Sequence, residues 1–258
     1  MRLHLYEWGD PGAPAVLCLH GVTGHALRFR RLAEERLADR FHVLAPDLRG
    51  HGRSGYDPPW TFATFVADVL ETLDGAGVGS AAWVGHSFGG RLALEAAASA
   101  PERVERIALL DPAIDVVPHV ALNTAEALWV TETFASLDEM IASRLLSDPD
   151  SPRHFVEEDV AQHAEPTAGG RYRHRYCRSA AVSVYGELAT APPPPETARV
   201  PMLIVHAPAF GLVREEHLAA YPDAEILAVP GRHMVIWDAW EQTADAVVRF
   251  LEDSRAES

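Results

Sequence analysis

Residues 83–98 read WVGHSFGGRLALEAAA. An apolar run ends at Gly85-His86-Ser87-Phe88-Gly89, and residues with helical spacing follow at once. This is G-x-S-x-G in the setting that gives the motif meaning: strand, tight turn, helix. The turn forces Ser87 into a strained backbone, so the residues two positions away must be small. It lifts the Ser87 Oγ above the sheet edge, and the N-terminus of the following helix favours negative charge beside it. A glycine-rich turn with an incidental serine has the same five letters. The flanking strand and helix, and the partners below, favour a nucleophile.

Short apolar runs lie on either side of this segment: AVLCLHG (15–21), FHVLAPD (41–47), AAWVGHS (81–87), RIALLD (106–111), MLIVHA (202–207) and EILAVPG (225–231). They end in turn residues and read as buried strands. RLHLYEWG (2–9) alternates apolar and polar residues, which suits an antiparallel edge strand. Helical spacing marks 28–38, 62–73, 90–100 and 241–252. The alternation predicts an α/β fold, a mostly parallel sheet with helices on both faces.

The pattern stops after residue 112 and resumes near 200. The stretch between is helical in flavour, has no convincing strand, and closes in the stiff run APPPPETARVP (191–201). Residues 113–196 therefore read as a helical cap inserted into a core made of 1–112 and 197–258.

Length and composition agree with one sizeable domain: 258 residues, 48% hydrophobic. The formal net charge of −15 argues against nucleic acid and anionic membrane surfaces as partners. Cys18 sits in an apolar strand as a small core residue, and it and Cys177 make neither a disulfide framework nor a zinc site. The N-terminus carries no apolar signal-peptide core, and no run of about 18 apolar residues exists to span a membrane. A cytoplasmic location is the simplest expectation. No H-E-x-x-H and no G-x-x-x-x-G-K-[ST] occurs, so neither a metal nor a nucleotide or other cofactor is expected.

Four motifs stand in a telling order: LHGVTG (19–24), APDLRGHGRSG (45–55), GHSFGG (85–90) and PGRHM (230–234). On them the chain resembles the α/β-hydrolase superfamily in its small, capped form, over nearly its whole length apart from the cap. The resemblance implies a Ser–His–acid hydrolase. His233, after the last strand and before the last helix, is the expected general base among 13 histidines. The oxyanion hole would be the backbone N–H groups of Val22 and Phe88, whose side chains would line the acyl pocket. His20 reads as a structural hydrogen-bonder. His51 reads as loop architecture, with Asp47 and Arg49 engaged in internal pairing.

The acid is the open position. In the family it usually sits in the loop after the strand at 202–207, but that loop has Phe210 and no carboxylate before Glu215. An alternative family position is the tip of the strand after the nucleophile helix, as in haloalkane dehalogenases and some lactonases; here that is Asp111. Asp115 and then Glu215 follow as candidates, with Glu216 beside it at a helix start and Asp238 anchoring the last helix.

A serine nucleophile disfavours aspartyl-ester chemistry. The expected reaction is hydrolysis of a small-molecule carboxylic ester or lactone through an acyl-enzyme. A carbon–carbon bond hydrolase, a perhydrolase, or a non-catalytic binding protein on the same fold are alternatives. Leu122, Leu128, Trp129 and Phe134 are candidates for the pocket roof, set against plain packing of the cap. Arg171, Arg173, Arg175 and Arg178 read as a solvated cap helix rather than a site for an anion. Oligomeric state is not legible.

Overall fold

The computed structural model describes residues 1–129 and 132–253. The first part of the chain runs through β1 (Leu5–Trp8), β2 (Ala15–Leu19), α1 (Arg30–Leu32), β3 (His42–Pro46), α2 (Phe62–Gly75), β4 (Ala81–His86), α3 (Phe88–Ser99) and β5 (Val104–Leu110). The segment between β5 and β8, called the insertion for its place between adjacent strands, holds α4 (Pro118–Trp129), α5 (Leu137–Ser147), α6 (Arg153–His163), β6 (Ala164–Pro166), β7 (Tyr172–His174) and α7 (Arg178–Leu188). β8 (Met202–His206), α8 (Glu215–Ala219), β9 (Glu225–Ala228), α9 (Val235–Asp238) and α10 (Trp240–Glu252) complete it.

Seven strands form one sheet in the order β1-β3-β2-β4-β5-β8-β9. β1 runs antiparallel to β3, and the other pairings in this sheet are parallel. Successive side chains of the central strands point to opposite faces, and both faces are buried. Cys18, Val84, Ala108 and Val205 pack with Val247 and Phe250 of α10. Leu17, Trp83, Leu109 and Ile204 pack with Phe65 of α2 and Leu92 of α3. This is why the strands read as near-continuous apolar runs.

The insertion joins both of these clusters. Met140, Phe155 and Val160 belong to the first and Ala181, Val184 and Leu188 to the second. Thr61 caps α2 by accepting from the Thr64 N–H, and Ser136 caps α5 by accepting from the Glu139 N–H at 3.1 Å.

The structure departs from the sequence expectation in three places. First, the insertion is not wholly helical: β6 and β7 form an antiparallel hairpin. Gly170, with φ +72°, supplies the turn, and Phe134 bridges to Tyr172 on the other side. A three-residue strand is too short for its period to register. Second, β9 is the last strand of the sheet among the described residues and is exposed rather than buried, with Ile226 44% exposed. Third, 28–38 is no single regular helix. A 3-10 turn (Ala26–Phe29), α1 and a π turn (Ala33–Leu37) follow one another. The wider π turn swings Leu37 back toward the face of Leu32, five residues earlier, so both are buried. Val130 and Thr131, in the stretch expected to roof the pocket, lie outside the described residues.

Candidate active site

Ser87 stands between β4 and α3 with φ +55° and ψ −116°. That conformation costs about 1–3 kcal/mol and persists only where the surroundings enforce it. Here they do. The Ser87 N–H donates to the Leu110 carbonyl at 3.0 Å, and its own carbonyl accepts from Gly90 and Ala113 at 3.0 and 3.1 Å. A Cβ on Gly85 would stand 2.4 Å from the Gly89 oxygen, and one on Gly89 would stand 2.1 Å from the Leu19 oxygen. Glycine at both positions is thus a steric demand of the turn.

Asp111 follows β5 directly, with φ +41°, a left-handed conformation that Asp tolerates better than most residues. It is fully buried. Its Oδ2 lies 2.7 Å from Nδ1 of His233, and its Oδ1 accepts from the Ala207 N–H at 3.1 Å. A carboxylate only accepts, so the proton between them sits on Nδ1, and Nε2 is left as an acceptor. His86, next to Ser87, has its Nε2 2.9 Å from the His233 carbonyl oxygen and donates to it. Burial and the nearby His233 push the His86 pKa well down, in keeping with a neutral ring.

Among the described residues, the side chains of the other candidate acids make no hydrogen bond or ion pair with the His233 ring. Asp115 pairs with Arg214 at 2.5 Å and His217 at 3.3 Å. Glu215 is exposed in the first turn of α8. Asp238 accepts from the Arg232 N–H at 2.8 Å and from Ser151 at 2.7 Å, tying down the loop that carries His233.

The loop after β2 lies against the serine. A methyl group on Gly21 would stand 3.1 Å from the Ser87 Cβ and 3.5 Å from its Oγ. His20 holds this loop: Nδ1 is 2.8 Å from the Gly21 oxygen, and Nε2 accepts from the Leu48 N–H at 3.0 Å. Only the neutral Nδ1–H form satisfies both, and burial pushes the His20 pKa well below its usual value. His51 reaches the Val22 carbonyl through Nε2. Asp47 and Arg49 do not pair with each other. Asp47 accepts from Ala26 and Arg53, while Arg49 binds Asp68 at 2.6 and 2.7 Å. The Phe88 N–H opens α3, but its ring is fully buried between Phe62 and Phe65. That side chain packs α2 on α3 and does not line an acyl pocket.

The alpha/beta hydrolase fold family model matches residues 14–196. The chain belongs to the α/β-hydrolase family. It is 34% identical over 244 residues to lipase LipV of Mycobacterium tuberculosis, covering 90% of this chain and 91% of that one. It is 29% identical to 2-(acetamidomethylene)succinate hydrolase of Mesorhizobium japonicum, over 98% of this chain and 92% of the relative. The crystal structure of E-2-(acetamidomethylene)succinate hydrolase superposes with a TM-score of 0.86 at 27% identity, covering 97% of this chain and 95% of that one.

In this α/β hydrolase a cavity of about 220 Å³ adjoins the Gly21–Gly24 loop, with Thr23 and Arg28 on one wall and Leu128, Arg144 and His174 of the insertion on the other. A second, of about 320 Å³, shares Leu128, Glu132, His174 and Tyr176 with it. A third, of about 730 Å³, lies at the opposite end of β8, against Met202 and Tyr221, and holds none of the candidate residues. Of the expected roof residues, Leu128 lines the cleft. Trp129 is 65% exposed beneath the Arg178 guanidinium, Leu122 is exposed as well, and Phe134 is buried against His174. Among the four arginines expected on a helix, only Arg178 is on α7. Arg171 binds Thr133, and Arg173 and Arg175 face Glu165.

Two features were not anticipated from sequence. One is the His86 contact to His233. The other is a buried cluster in which Asp159 binds His25 at 2.9 Å and Arg28 at 2.7 Å, with His163 stacked on His25 at 4.5 Å. The cluster joins positions more than 130 residues apart, and no local pattern announces it. His86 occupies the variable position before the serine, where the motif constrains no residue type. Among the described residues no group of His, Cys, Asp and Glu is placed to hold a metal ion, and no helix is long and apolar enough to cross a membrane.

Proposed function

We propose that this chain is a serine hydrolase of carboxylic esters or lactones, with Ser87 as nucleophile, His233 as base and Asp111 as acid. One observation carries the reading. The Asp111–His233 hydrogen bond of 2.7 Å stands beside a serine held at φ +55°, and the base loop is pinned to His86, the serine's own neighbour.

The reaction follows from the proton positions. Nε2 of His233 takes the Ser87 proton as Oγ bonds to the ester carbonyl carbon, and Asp111 stabilises the imidazolium. The carbonyl oxygen becomes an oxyanion facing the N–H groups of Val22 and Phe88. Its collapse breaks the bond to the alcohol oxygen, which leaves with the proton from Nε2. Water then repeats the sequence on the acyl-enzyme, releasing the acid and restoring Ser87. The insertion 113–196 acts as a lid, since the cleft beside the Gly21–Gly24 loop takes walls from both parts, with Leu128 contacting substrate.

The test is turnover of p-nitrophenyl butyrate together with labelling by a fluorophosphonate. Ser87→Ala is expected to abolish both, with the circular dichroism spectrum unchanged. Turnover retained in that variant sinks Ser87 as the nucleophile.

A further inference from the structure

Phe210 occupies the loop after β8, where the resemblance would place the acid, and its ring is stacked on the His233 imidazole. The centroids are 4.8 Å apart and the planes 19° from parallel. Core packing does not explain this position, because Phe210 is 39% exposed and belongs to neither buried cluster; besides His233 the ring meets the Arg232 guanidinium, 5.8 Å from its centroid. The loop is nonetheless held. The Phe210 N–H donates to the Ala207 carbonyl at 3.0 Å, and the Ala207 N–H donates to Asp111 at 3.1 Å. One short segment therefore ties to the carboxylate at His233's edge and lays a ring on its face.

The geometry explains why a ring is useful there. A single hydrogen bond from Nδ1 to Asp111 fixes a distance but leaves the imidazole free to tilt about that axis. His86 borders the imidazole with centroids 4.7 Å apart, but at 40°, and its hydrogen bond goes to the His233 backbone rather than the ring. A parallel face is what removes the tilt, and the π cloud favours a positive charge on the imidazole.

We propose that Phe210 is a positioning residue for His233: it holds the imidazole plane so that Nδ1 meets Asp111 and Nε2 turns to Ser87, and it favours the imidazolium that forms in the reaction. The proposal rests on the reading of Ser87, His233 and Asp111 given above. The loop position that lacks a carboxylate thus supports the base from its face instead of its edge.

The experiment compares Phe210→Leu and Phe210→Tyr with the parent on p-nitrophenyl butyrate from pH 5 to 9. Alongside, the His233 imidazole is titrated by ¹H–¹⁵N NMR and assigned by difference with His233→Gln. Loss of the stack is expected to lower kcat about 3- to 10-fold in Phe210→Leu. KM should stay near the parent value, and the imidazolium form of His233 should become less favoured. Phe210→Tyr keeps the face and is expected to restore both. A rise in KM with kcat and the His233 titration unmoved overturns the proposal and makes Phe210 a substrate contact. If the parent hydrolyses no ester and takes no fluorophosphonate, the triad reading fails by itself. The titration then decides alone, and a His233 pKa equal in parent and Phe210→Leu overturns the stack's role.

Discussion

Asp111 reaches His233 from the tip of β5, with Oδ2 2.7 Å from Nδ1 and Oδ1 held by the Ala207 N–H. The carboxylate is carried by a central strand, fully buried, and has both oxygens occupied. Asp111→Asn would keep the shape but favour the wrong imidazole tautomer. It is expected to lower kcat by about 10³- to 10⁴-fold. Asp115→Asn and Glu215→Gln should leave kcat near the parent value, because those groups face Arg214 and solvent. Initial rates on p-nitrophenyl butyrate, with thermal unfolding as a fold control, check the contrast. A collapse in Asp115→Asn and not in Asp111→Asn would move the acid.

His51 has no place in the proton transfers, yet it is buried and reaches the Val22 carbonyl. The insertion grips the same stretch, through Gly52 N–H to Arg175 and Cys177 N–H to Gly50. His51→Leu should loosen the Val22 peptide and lower kcat roughly tenfold, less than loss of an oxyanion donor itself. The denaturant midpoint should fall as well, since the Val22 carbonyl loses its partner. Steady-state kinetics and urea unfolding on one preparation read both effects, and an unchanged kcat would detach His51 from the oxyanion loop.

Arg28 and Asp159 are 7% and 1% exposed and pair at 2.7 Å, with His25 sharing the same carboxylate. Neither charge meets enough water to stand alone. Asp159→Asn leaves Arg28 buried without its counter-charge and is expected to cost about 3–5 kcal/mol. A double variant, Arg28→Met with Asp159→Leu, should recover part of that loss. Chemical denaturation measures both, and a single variant as stable as the parent would show that the pair is dispensable.

Acid should weaken the fold before the carboxylates titrate. Burial lowers the pKa values of His20, His51, His86 and His163, and carries His174 down to about 4. Between these values and the unfolded value of about 6.5, the unfolded chain binds more protons. Stability is therefore complete above pH 6.5 and falls as pH drops toward 4. Burial also works against the charged form of Asp159, but Arg28 and His25 outweigh it and hold its pKa well below the usual value. That contribution is lost only below the ordinary carboxylate range. Urea midpoints at pH 7.5 and pH 5 should differ in favour of pH 7.5, and His174→Asn should narrow the gap. Equal midpoints would refute the buried neutral histidines.

Most of this protein's frame was legible in residue order. Apolar runs buried on both faces, helical spacing between them and the turn around Ser87 follow from local sterics and patterning, which act over a few residues. The candidate serine and aspartate could be named because each follows a strand directly, and the candidate histidine because its loop joins the last strand to the last helix; the order of the strands in the sheet was not read. The β6–β7 hairpin could not, since three residues do not establish a period. Trp129 and Phe134 could not be sorted, since an apolar stripe does not say whether it meets a cleft, a core or water. What only the tertiary structure decided is which distant groups meet. Asp111 and His233 are 122 positions apart, the Phe210 ring meets an imidazole 23 positions on, and Asp159 lies more than 130 positions from Arg28 and His25. Hydrogen bonds and ring contacts depend on ångström distances, and those are set when the strand ends and the insertion pack together, not by any spacing along the chain.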